Sequence, residues 1–378
     1  MSGIYIHIPF CKQACHYCDF HFSTQLKKKV PMLGALKKEL ELRKNELGGE
    51  MVDTIYFGGG TPSVLETDEI NALIETIYDN YQCTEQPEIT LEANPDDLSG
   101  NRVAQLSKSP INRLSIGVQS FFEEDLKLMN RAHDAAEARS CIEEAKSHFD
   151  NISIDLIYGI PGMIDKRWLE NIETALSYDL PHVSSYALTV EPKTALKKFI
   201  DKGIMDDVDD EQAQRQFYML LEQLENRGYI NYEISNFGKP GYFSRNNTSY
   251  WKGKTYLGIG PSAHSFDGKI RGWNVANNTL YIKSLEHGEL PMEKETLSVK
   301  DQYNEYVMTG LRTVWGVSEN KIASDFGPMY LEYFRQHAQK YLDSGHLQLE
   351  TENWVATKKG KFLVDGIASD LFMINLES

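Results

Sequence analysis

The sequence predicts an α/β fold in which βα units surround a parallel sheet and a smaller, mainly helical C-terminal domain follows. Strand-like apolar runs alternate with helical patterns at intervals of about 30 residues, which is the pattern of consecutive βα units. Polar and glycine-rich motifs come directly after these strands, where the chemistry of such folds gathers. The C-terminal residues show a helical pattern and then a β-hairpin, which indicates a helix-plus-wing domain.

Each predicted strand is a short apolar run, and each predicted helix repeats apolar residues at the helical period. The predicted strands cover residues 4–10, 51–57, 88–92, 113–117, 152–158 and 183–190. The predicted helices cover residues 30–47, 68–81, 123–129, 135–149, 168–178 and 212–226. Residues 229–267 change character and are rich in Gly, Asn, Ser and aromatic side chains. The helical pattern resumes near residue 301, and residues 347–362 predict a hairpin that leads into a last helix.

The composition excludes several classes of protein. The 378 residues carry 39 Lys and Arg against 55 Asp and Glu, a formal net charge of −16. This charge disfavours nonspecific nucleic-acid binding, which needs clustered positive charge. No apolar run reaches the length of a membrane span, and the first strand follows Met1 too closely for a signal peptide. We therefore expect the protein to be located in the reducing cytoplasm, where thiolates stay available for a metal centre.

Three of the five cysteines, Cys11, Cys15 and Cys18, lie within eight residues at the end of the predicted first strand. Cysteine thiolates hold iron–sulfur clusters, usually four per cluster, so three leave one iron of a [4Fe–4S] cluster without a protein ligand. A structural zinc site is the alternative, since His16 or His21 would complete a Cys3His set. Zinc motifs usually bring two ligand pairs from separate segments, and the sequence has no second pair.

Two glycine motifs need separate interpretations. Residues 58–62 read GGGTP after the second strand, which fits a tight turn or a close approach of the backbone to a ligand. They do not form a Walker loop, because GK[ST] is missing. Residues 258–263 match GxGxxA formally, but Pro261 and the residues after it do not open a helix behind a buried strand. A dinucleotide site is therefore excluded.

Four polar residues lie within or shortly after the third, fourth and fifth predicted strands: Glu92, Gln119, Arg131 and Asp155. Each alone is explained by a capped loop or a surface charge. Together they predict one ring at the mouth of the parallel sheet. Carboxylates suit ribose hydroxyls, and a guanidinium suits a carboxylate group.

Seven segments of the chain recur together in one family: residues 4–11, 15–20, 57–62, 115–119, 130–133, 155–161 and 258–264. On these segments the chain resembles the oxygen-independent coproporphyrinogen III oxidase-like family of the radical S-adenosylmethionine (SAM) superfamily, over nearly its whole length. The resemblance implies a partial (βα)6 radical SAM barrel in residues 1–235. It further implies a connecting segment in residues 236–295 and a HemN-type C-terminal domain in residues 296–378.

The resemblance also implies the ligands. In radical SAM proteins the amino and carboxylate groups of SAM occupy the open iron of a [4Fe–4S] cluster, and the GGGTP segment meets the methionine end of SAM. Contacts to SAM are implied at Tyr5, Tyr17, Gly59, Gly60, Thr61 and Glu92. Positions used around a second SAM in the family's dehydrogenase match Gln119, Arg131, Asp155 and Ala187.

Two branches of the family differ in function. The coproporphyrinogen III dehydrogenases decarboxylate their substrate oxidatively in porphyrin biosynthesis, and they carry a longer N-terminal segment and a fourth cysteine, where this chain has Phe20. Both differences favour the heme-chaperone branch. We therefore expect heme binding and transfer to an acceptor protein, with membrane-bound respiratory enzymes among the candidate acceptors and a peripheral position at the membrane left open. The dehydrogenase reaction is the alternative.

Heme chaperones of this family usually carry the motif HNxxYW, whose histidine is implicated in heme binding. Here residues 246–251 read NNTSYW, so Asn246 replaces that histidine. An amide is a poor iron ligand compared with imidazole or thiolate. His264 is the spare ligand candidate. Tyr250 and Trp251 are candidates to stack on a porphyrin, although buried aromatic side chains more often form core.

Overall fold

The computed structural model describes residues 1–374, which form a large α/β part and a smaller C-terminal part. The strands are β1 Ser2–Ile8, β2 Val52–Gly59, β3 Cys83–Ala93, β4 Arg113–Gln119, β5 Ile152–Tyr158, β6 His182–Ala187, β7 Ile230–Glu233, β8 Asn236–Gly238, β9 Tyr256–Ile259, β10 His264–Phe266, β11 Ile270–Asn274, β12 Met292–Thr296, β13 Val317–Ser318, β14 Leu347–Glu350 and β15 Asn353–Ala356. The helices are α1 Lys29–Leu42, α2 Thr67–Asn80, α3 Arg102–Leu106, α4 Glu123–Leu128, α5 Ala135–Lys146, α6 Asp165–Ser177, α7 Ala195–Asp201, α8 Asp210–Glu225, α9 Arg245–Trp251, α10 Asn278–Glu286, α11 Val299–Leu311, α12 Glu319–Asp325, α13 Pro328–Asp343 and α14 Val364–Asp370.

The first six strands form the parallel centre of one 12-stranded sheet, whose order is β12-β11-β10-β9-β1-β2-β3-β4-β5-β6-β8-β7. Each of β1 to β5 pairs in parallel with the next strand along the chain. All seven residues of β4 are buried, as expected for a parallel strand covered on both faces. The predicted α/β fold with a partial barrel of six βα units is confirmed.

Several predicted boundaries differ from the observed ones. The bounds of β5 agree, but β1 begins at Ser2 and ends at Ile8 instead of covering residues 4–10. Phe10 then forms an isolated bridge with Ser23, which folds the cysteine loop back onto the end of β1. α1 ends at Leu42 and residues 43–47 continue as turns, so the helical spacing of apolar residues outlasts the helix itself.

Residues 229–267, which stand out in the sequence only by their composition, and the residues just after them add strands to both edges of the sheet. β9 pairs in parallel with β1, and β10 to β12 continue outward as antiparallel strands. On the other edge β8 pairs with β6. These strands are three to five residues long, too short to leave an alternating pattern in the sequence. The division into residues 1–235, 236–295 and 296–378 stays a prediction.

The C-terminal part has a core of its own. Its buried side chains come from α11, α13, α14 and the three-stranded sheet β13-β15-β14, and they include Tyr303, Phe334 and Trp354. The predicted hairpin is present as β14 and β15, and α14 follows it. Within residues 1–374, no helix combines the length and the apolar character needed to cross a bilayer.

A buried ion pair connects α1 to the outer strands. Arg43 Nη1 donates to Glu39 Oε1 and to the carbonyl oxygen of Gly258, both at 2.7 Å. The backbone N–H of Gly260 donates to Glu39 Oε2 at 2.9 Å, and the Tyr281 hydroxyl donates to the same oxygen. Glu39 and Arg43 are almost fully buried, so these bonds replace the water that both charges lose.

We expect Arg43→Ala to destabilise the protein by about 3–5 kcal/mol, because it leaves the Glu39 carboxylate buried without its cation. The measurement is the free energy of unfolding in denaturant. Lys38→Ala is the matched control, since Lys38 lies on the same helix in an exposed pair with Glu41 and its loss should change stability by less than about 1 kcal/mol. Equal effects of the two substitutions would contradict the assignment.

Candidate functional site

The three clustered cysteines lie in the loop that follows β1, at the carboxyl edge of the sheet. The backbone N–H of Cys11 donates to the Ser23 carbonyl at 3.1 Å, which closes the loop. Arg131, from the segment after β4, reaches across the loop, and its Nη1 donates to Cys15 Sγ at 3.3 Å. The structure therefore brings the cysteine loop together with one of the polar residues of the predicted ring.

The chemistry of this loop fits a bound cluster. None of the three cysteines forms a disulfide, and burial raises the pKa of Cys11 and Cys18 to about 11. Cysteines bind metal as thiolates, so metal binding at such buried thiols releases protons. Among residues 1–374, no three Cys, His, Asp or Glu side chains converge tightly enough for a single metal ion. A [4Fe–4S] cluster needs a wider spacing, because each cysteine binds a different iron.

The two histidines considered for a zinc site are held elsewhere. His16 Nδ1 is hydrogen-bonded to the Leu128 carbonyl at 2.8 Å. His21 Nε2 is hydrogen-bonded to Asn278 Oδ1 at 2.7 Å. Both rings therefore have structural contacts, which weakens the Cys3His alternative.

The glycines of the GGGTP segment are required by the end of β1. A Cβ at Gly60 would lie 2.7 Å from the carbonyl oxygens of Ile8 and Phe10, and a Cβ at Gly59 would lie 2.4 Å from His7 Nδ1. Gly59 also has a φ of 103°, which side chains rarely adopt. The neighbouring Thr61 is buried, and its N–H donates to the Phe10 carbonyl at 2.7 Å. The glycines are therefore needed for the close packing of this segment against the end of β1, independently of any ligand.

Glu92 and Asp155 face the interior of the barrel. The Tyr56 hydroxyl donates to Glu92 Oε1 at 2.7 Å, and Ser115 Oγ donates to Asp155 Oδ1 at 3.3 Å. Desolvation raises the pKa of Glu92 to about 7 and that of Asp155 to about 6. Two carboxyl groups that titrate near neutrality mark this interior as a candidate site.

Gln119 and Arg131 lie side by side above Gly117. A Cβ at Gly117 would lie 2.9 Å from Gln119 Nε2 and 3.2 Å from Arg131 Nη2, so the glycine leaves room for both side chains. Gln119 has a φ of 67°, a left-handed conformation that costs a non-glycine residue about 1–2 kcal/mol. Such strain is typical of functional positions.

The remaining predicted contacts take different places around the same site. Tyr5 lies beside Tyr56, with ring centroids 6.1 Å apart, and its hydroxyl is 3.3 Å from His7 Nδ1. The Tyr17 hydroxyl accepts from Arg131 Nη1 at 3.5 Å. Ala187 ends β6 and is half-buried.

Sequence reasoning missed three residues that complete the interior. Tyr56 is the donor to Glu92, Asn94 Oδ1 accepts from Arg131 Nη2 at 2.7 Å, and Arg113 is fully buried in the barrel with an unpartnered Nε. Asn94 directly follows β3, so its place at a strand end was the one available signal. Tyr56 lies within an apolar run and looks like a core residue, and Arg113 is the first residue of β4, where it looks like a surface charge.

The four heme candidates, Asn246, Tyr250, Trp251 and His264, line one cavity of about 1940 Å³. Its walls come from β1, α9, the strands β9 to β11 and the helices α11 and α12 of the C-terminal part. Tyr5 also lines it, so the cavity borders the barrel interior. It is larger than the roughly 300–1,000 Å³ of most small-molecule pockets.

Asn246 is fixed at the start of α9. Its backbone N–H and that of Arg245 donate to the buried carboxylate of Glu88, and its Oδ1 accepts from Thr54 Oγ1 at 3.1 Å. Tyr250 is 51% exposed, and its ring meets that of Trp251 edge to face at a centroid distance of 5.2 Å. These two aromatic side chains therefore line the cavity and do not belong to the hydrophobic core.

His264 differs from the other imidazoles of the cavity. His7 and His21 are each hydrogen-bonded within the chain, His7 Nε2 to the carbonyl of His21 at 2.8 Å and His21 to Asn278. The His264 side chain has no hydrogen bond to any residue in the described range 1–374. Burial, and then the charge of Arg271, lowers the pKa of His264, which favours the neutral ring that coordinates metal.

Comparison with known proteins places this geometry in context. The sequence profile of the Radical SAM superfamily matches residues 5–187, and that of the HemN C-terminal domain matches residues 297–363. The chain is 34% identical to the heme chaperone HemW of Bacillus subtilis over 96% of its length and 97% of that protein. It is 33% identical to the heme chaperone HemW of Lactococcus lactis, over 97% of this chain and 98% of the relative.

Among solved structures, the coproporphyrinogen III oxidase HemN of Escherichia coli superposes with a TM-score of 0.84 at 22% identity. The match covers 98% of this chain and 90% of that one. At this identity the likeness concerns the fold.

We expect Glu92→Gln to remove part of the pH dependence of stability. Because the folded-state pKa of Glu92 is about 7 against an ordinary 4.5, folding is most favoured when this carboxyl holds its proton, and that stability is lost as pH rises between those values. Glu92→Gln stays uncharged and keeps an acceptor for Tyr56. The two proteins should therefore differ little near pH 5, and the variant should be more stable above pH 7 by on the order of 1–3 kcal/mol.

The measurement is the free energy of unfolding from pH 5 to pH 8, with exposed Glu75→Gln as the control. Parallel curves for wild type and Glu92→Gln would contradict the raised pKa.

Proposed function

Because the chain belongs to the HemW family, whose named relatives are heme chaperones, we propose that it binds heme and transfers it to an acceptor protein. The observation that carries this proposal is the single cavity lined by Asn246, Tyr250, Trp251 and His264. A porphyrin is a wide apolar disc, and aromatic rings on one wall suit its face. The cavity volume leaves room for the disc beside the C-terminal part.

His264 is the residue that we assign to the heme iron. Its ring lines the cavity without a hydrogen bond within residues 1–374, so it is available to coordinate. Asn246 occupies the position of the family histidine, but its amide oxygen already accepts from Thr54. Imidazole is a common axial ligand of heme iron, whereas an amide is not.

The cysteine loop is proposed to hold a [4Fe–4S] cluster through Cys11, Cys15 and Cys18. The match to the Radical SAM superfamily over residues 5–187 supports this, as do three free cysteines on one loop at the carboxyl end of β1. When bound, the cluster supplies redox chemistry and one iron for the amino and carboxylate groups of SAM. Arg131 orients the loop by its bond to Cys15, independently of the cluster.

The interior of the barrel is proposed to hold SAM. The contacts assigned to it are Tyr5, Tyr17, Gly59, Gly60, Thr61 and Glu92, with Gln119, Arg131, Asp155 and Ala187 further round the barrel. Carboxylates accept hydrogen bonds from ribose hydroxyls, which suits the half-buried side chains of Glu92 and Asp155. Gly117 leaves the room that the side chains of Gln119 and Arg131 occupy at this end of β4.

Heme transfer is favoured over oxidative decarboxylation of coproporphyrinogen. The dehydrogenase branch has a fourth cysteine where this chain has Phe20, whose side chain is 65% exposed and lines the heme cavity. We further propose that the protein acts in the cytoplasm and that its acceptor is a heme enzyme, with membrane-bound respiratory enzymes as candidates. The acceptor would meet the protein on the side where the cavity opens.

The cluster assignment predicts the colour and metal content of the protein. Protein purified without oxygen should be brown and contain about four irons and four sulfides per chain. Cys11→Ala, Cys15→Ala and Cys18→Ala should each abolish the visible absorption, whereas Cys141→Ala, at a buried cysteine outside the loop, should keep it. Stoichiometric zinc in a colourless, folded preparation would refute the assignment.

The heme assignment predicts which substitution changes binding. His264→Ala should weaken heme binding at least about tenfold, or 1.4 kcal/mol, and shift the Soret band, because the iron loses its imidazole. Asn246→His should restore binding in the His264→Ala background by returning an imidazole to the cavity. The control is His287→Ala, since His287 is exposed and does not line the cavity.

The readout is a heme titration followed by absorption, with coproporphyrinogen and SAM tested in parallel for turnover. Unchanged affinity and spectrum in both variants would place the iron ligand elsewhere. Decarboxylation of coproporphyrinogen by the wild type would instead favour the dehydrogenase reaction.

A further inference from the structure

Two lysines stand at the end of the helix that carries the heme candidates. Lys252 and Lys254 follow α9 directly, and both side chains line the heme cavity. The Lys252 ammonium lies 4.1 Å from the centroid of the Trp315 ring, which belongs to the C-terminal part. This cation–π contact holds the charge at the wall of the cavity.

These lysines are the unpaired cations of the cavity within residues 1–374. The other basic residues that line it are paired: Arg271 with Glu295, Arg312 with Asp365, and Lys321 with Asp325. Neither Lys252 nor Lys254 has an ion pair or a side-chain hydrogen bond in the described part of the chain. Asp19, Glu233 and Asp301 also line the cavity, so the positive charge is confined to the wall at the end of α9. Unpaired cations there, beside aromatic rings, point to an anionic group of a ligand.

The backbone holds both lysines in place. Gly253 lies between them with a φ of 64°, and its N–H donates to the Tyr250 carbonyl at 2.9 Å. The Lys254 N–H donates to the Ser249 carbonyl at 3.0 Å, which completes a helix-ending turn. Cations near a helix C-terminus interact with its dipole, but neither ammonium reaches a carbonyl oxygen here. The ammonium groups of Lys252 and Lys254 therefore form no hydrogen bond to the end of α9.

The two ammonium groups also disfavour each other. Burial, and then the charge of Lys254, lowers the pKa of Lys252. The protein as a whole carries a net charge of −16, so its overall charge does not attract an anionic ligand. Local positive charge must then provide its binding site.

We propose that Lys252 and Lys254 bind the two propionate carboxylates of heme, while the aromatic wall contacts the macrocycle. This inference rests on the proposed heme-binding function and adds the groups that orient the ligand. Heme carries both propionates on one edge, so two cations at one corner of the cavity would fix which edge faces them. The iron would then be presented to His264 in one orientation rather than in several.

The test compares heme with heme dimethyl ester, whose propionates carry no charge. Both are titrated against wild type, Lys252→Gln, Lys254→Gln and the double variant, with Lys44→Gln as a control at an exposed lysine outside the cavity. The double variant should bind heme at least about tenfold more weakly and bind the ester as the wild type does. The heme affinity of each single variant should lie between that of the wild type and that of the double variant. Rising salt should weaken heme binding more in the wild type than in the double variant.

The outcomes separate this inference from the function on which it rests. An unchanged Soret band in the double variant, with weaker binding, supports propionate contacts because the iron ligand is intact. Equal heme affinity in wild type and double variant would overturn the inference and leave heme binding standing. Equal losses for heme and ester would also overturn it, since the lysines would then act through folding. A wild type that binds no heme would overturn both proposals.

Discussion

The buried Glu39–Arg43 pair is the contact on which the arrangement of the proposed heme cavity depends. It joins α1, which follows the cysteine loop, to Gly258 and Gly260 at the end of β9. A Cβ at Gly258 would lie 1.9 Å from the carbonyl oxygen of His264, and one at Gly260 would lie 2.5 Å from that of His7. Gly258 and Gly260, which formally match a dinucleotide motif, are therefore required for close packing. The ion pair fixes the turn that leads to His264.

The end of β1 connects the two proposed ligand sites. His7 lies against Gly59 on one side and Gly260 on the other, and Ile8 accepts from the N–H of Gly60 at 2.9 Å. The first residue of the cysteine loop, Cys11, follows the last residue of β1 by three positions. One strand end therefore contacts the GGGTP segment, leads into the cysteine loop and borders the proposed heme cavity.

The parts of the structure that the sequence predicted share one physical cause. Strands β1 to β6 are buried on both faces, so they appear as apolar runs, and their ends carry the motifs that stand out in the sequence. The edge strands and α7 are short and half-exposed, and they leave no such pattern. The interior polar residues were missed for another reason. Tyr56 lies inside an apolar strand and Arg113 is the first residue of β4, and neither position indicates from sequence that the side chain faces the interior of a partly hollow barrel.

The two proposed sites adjoin each other but differ in the groups assigned to bind the ligand. The barrel interior carries the carboxyl groups of Glu92 and Asp155, whereas Lys252 and Lys254 are the cations of the proposed heme cavity that have no ion pair within residues 1–374. Asp19, Glu233 and Asp301 also line that cavity. Tyr5 lines the heme cavity and also lies beside Tyr56, the donor to Glu92. On the proposed assignments, the sulfonium of SAM suits this interior and the propionates of heme are disfavoured there once the two carboxyl groups ionise, above a pKa of about 6 for Asp155 and about 7 for Glu92. The two proposed sites therefore adjoin at Tyr5.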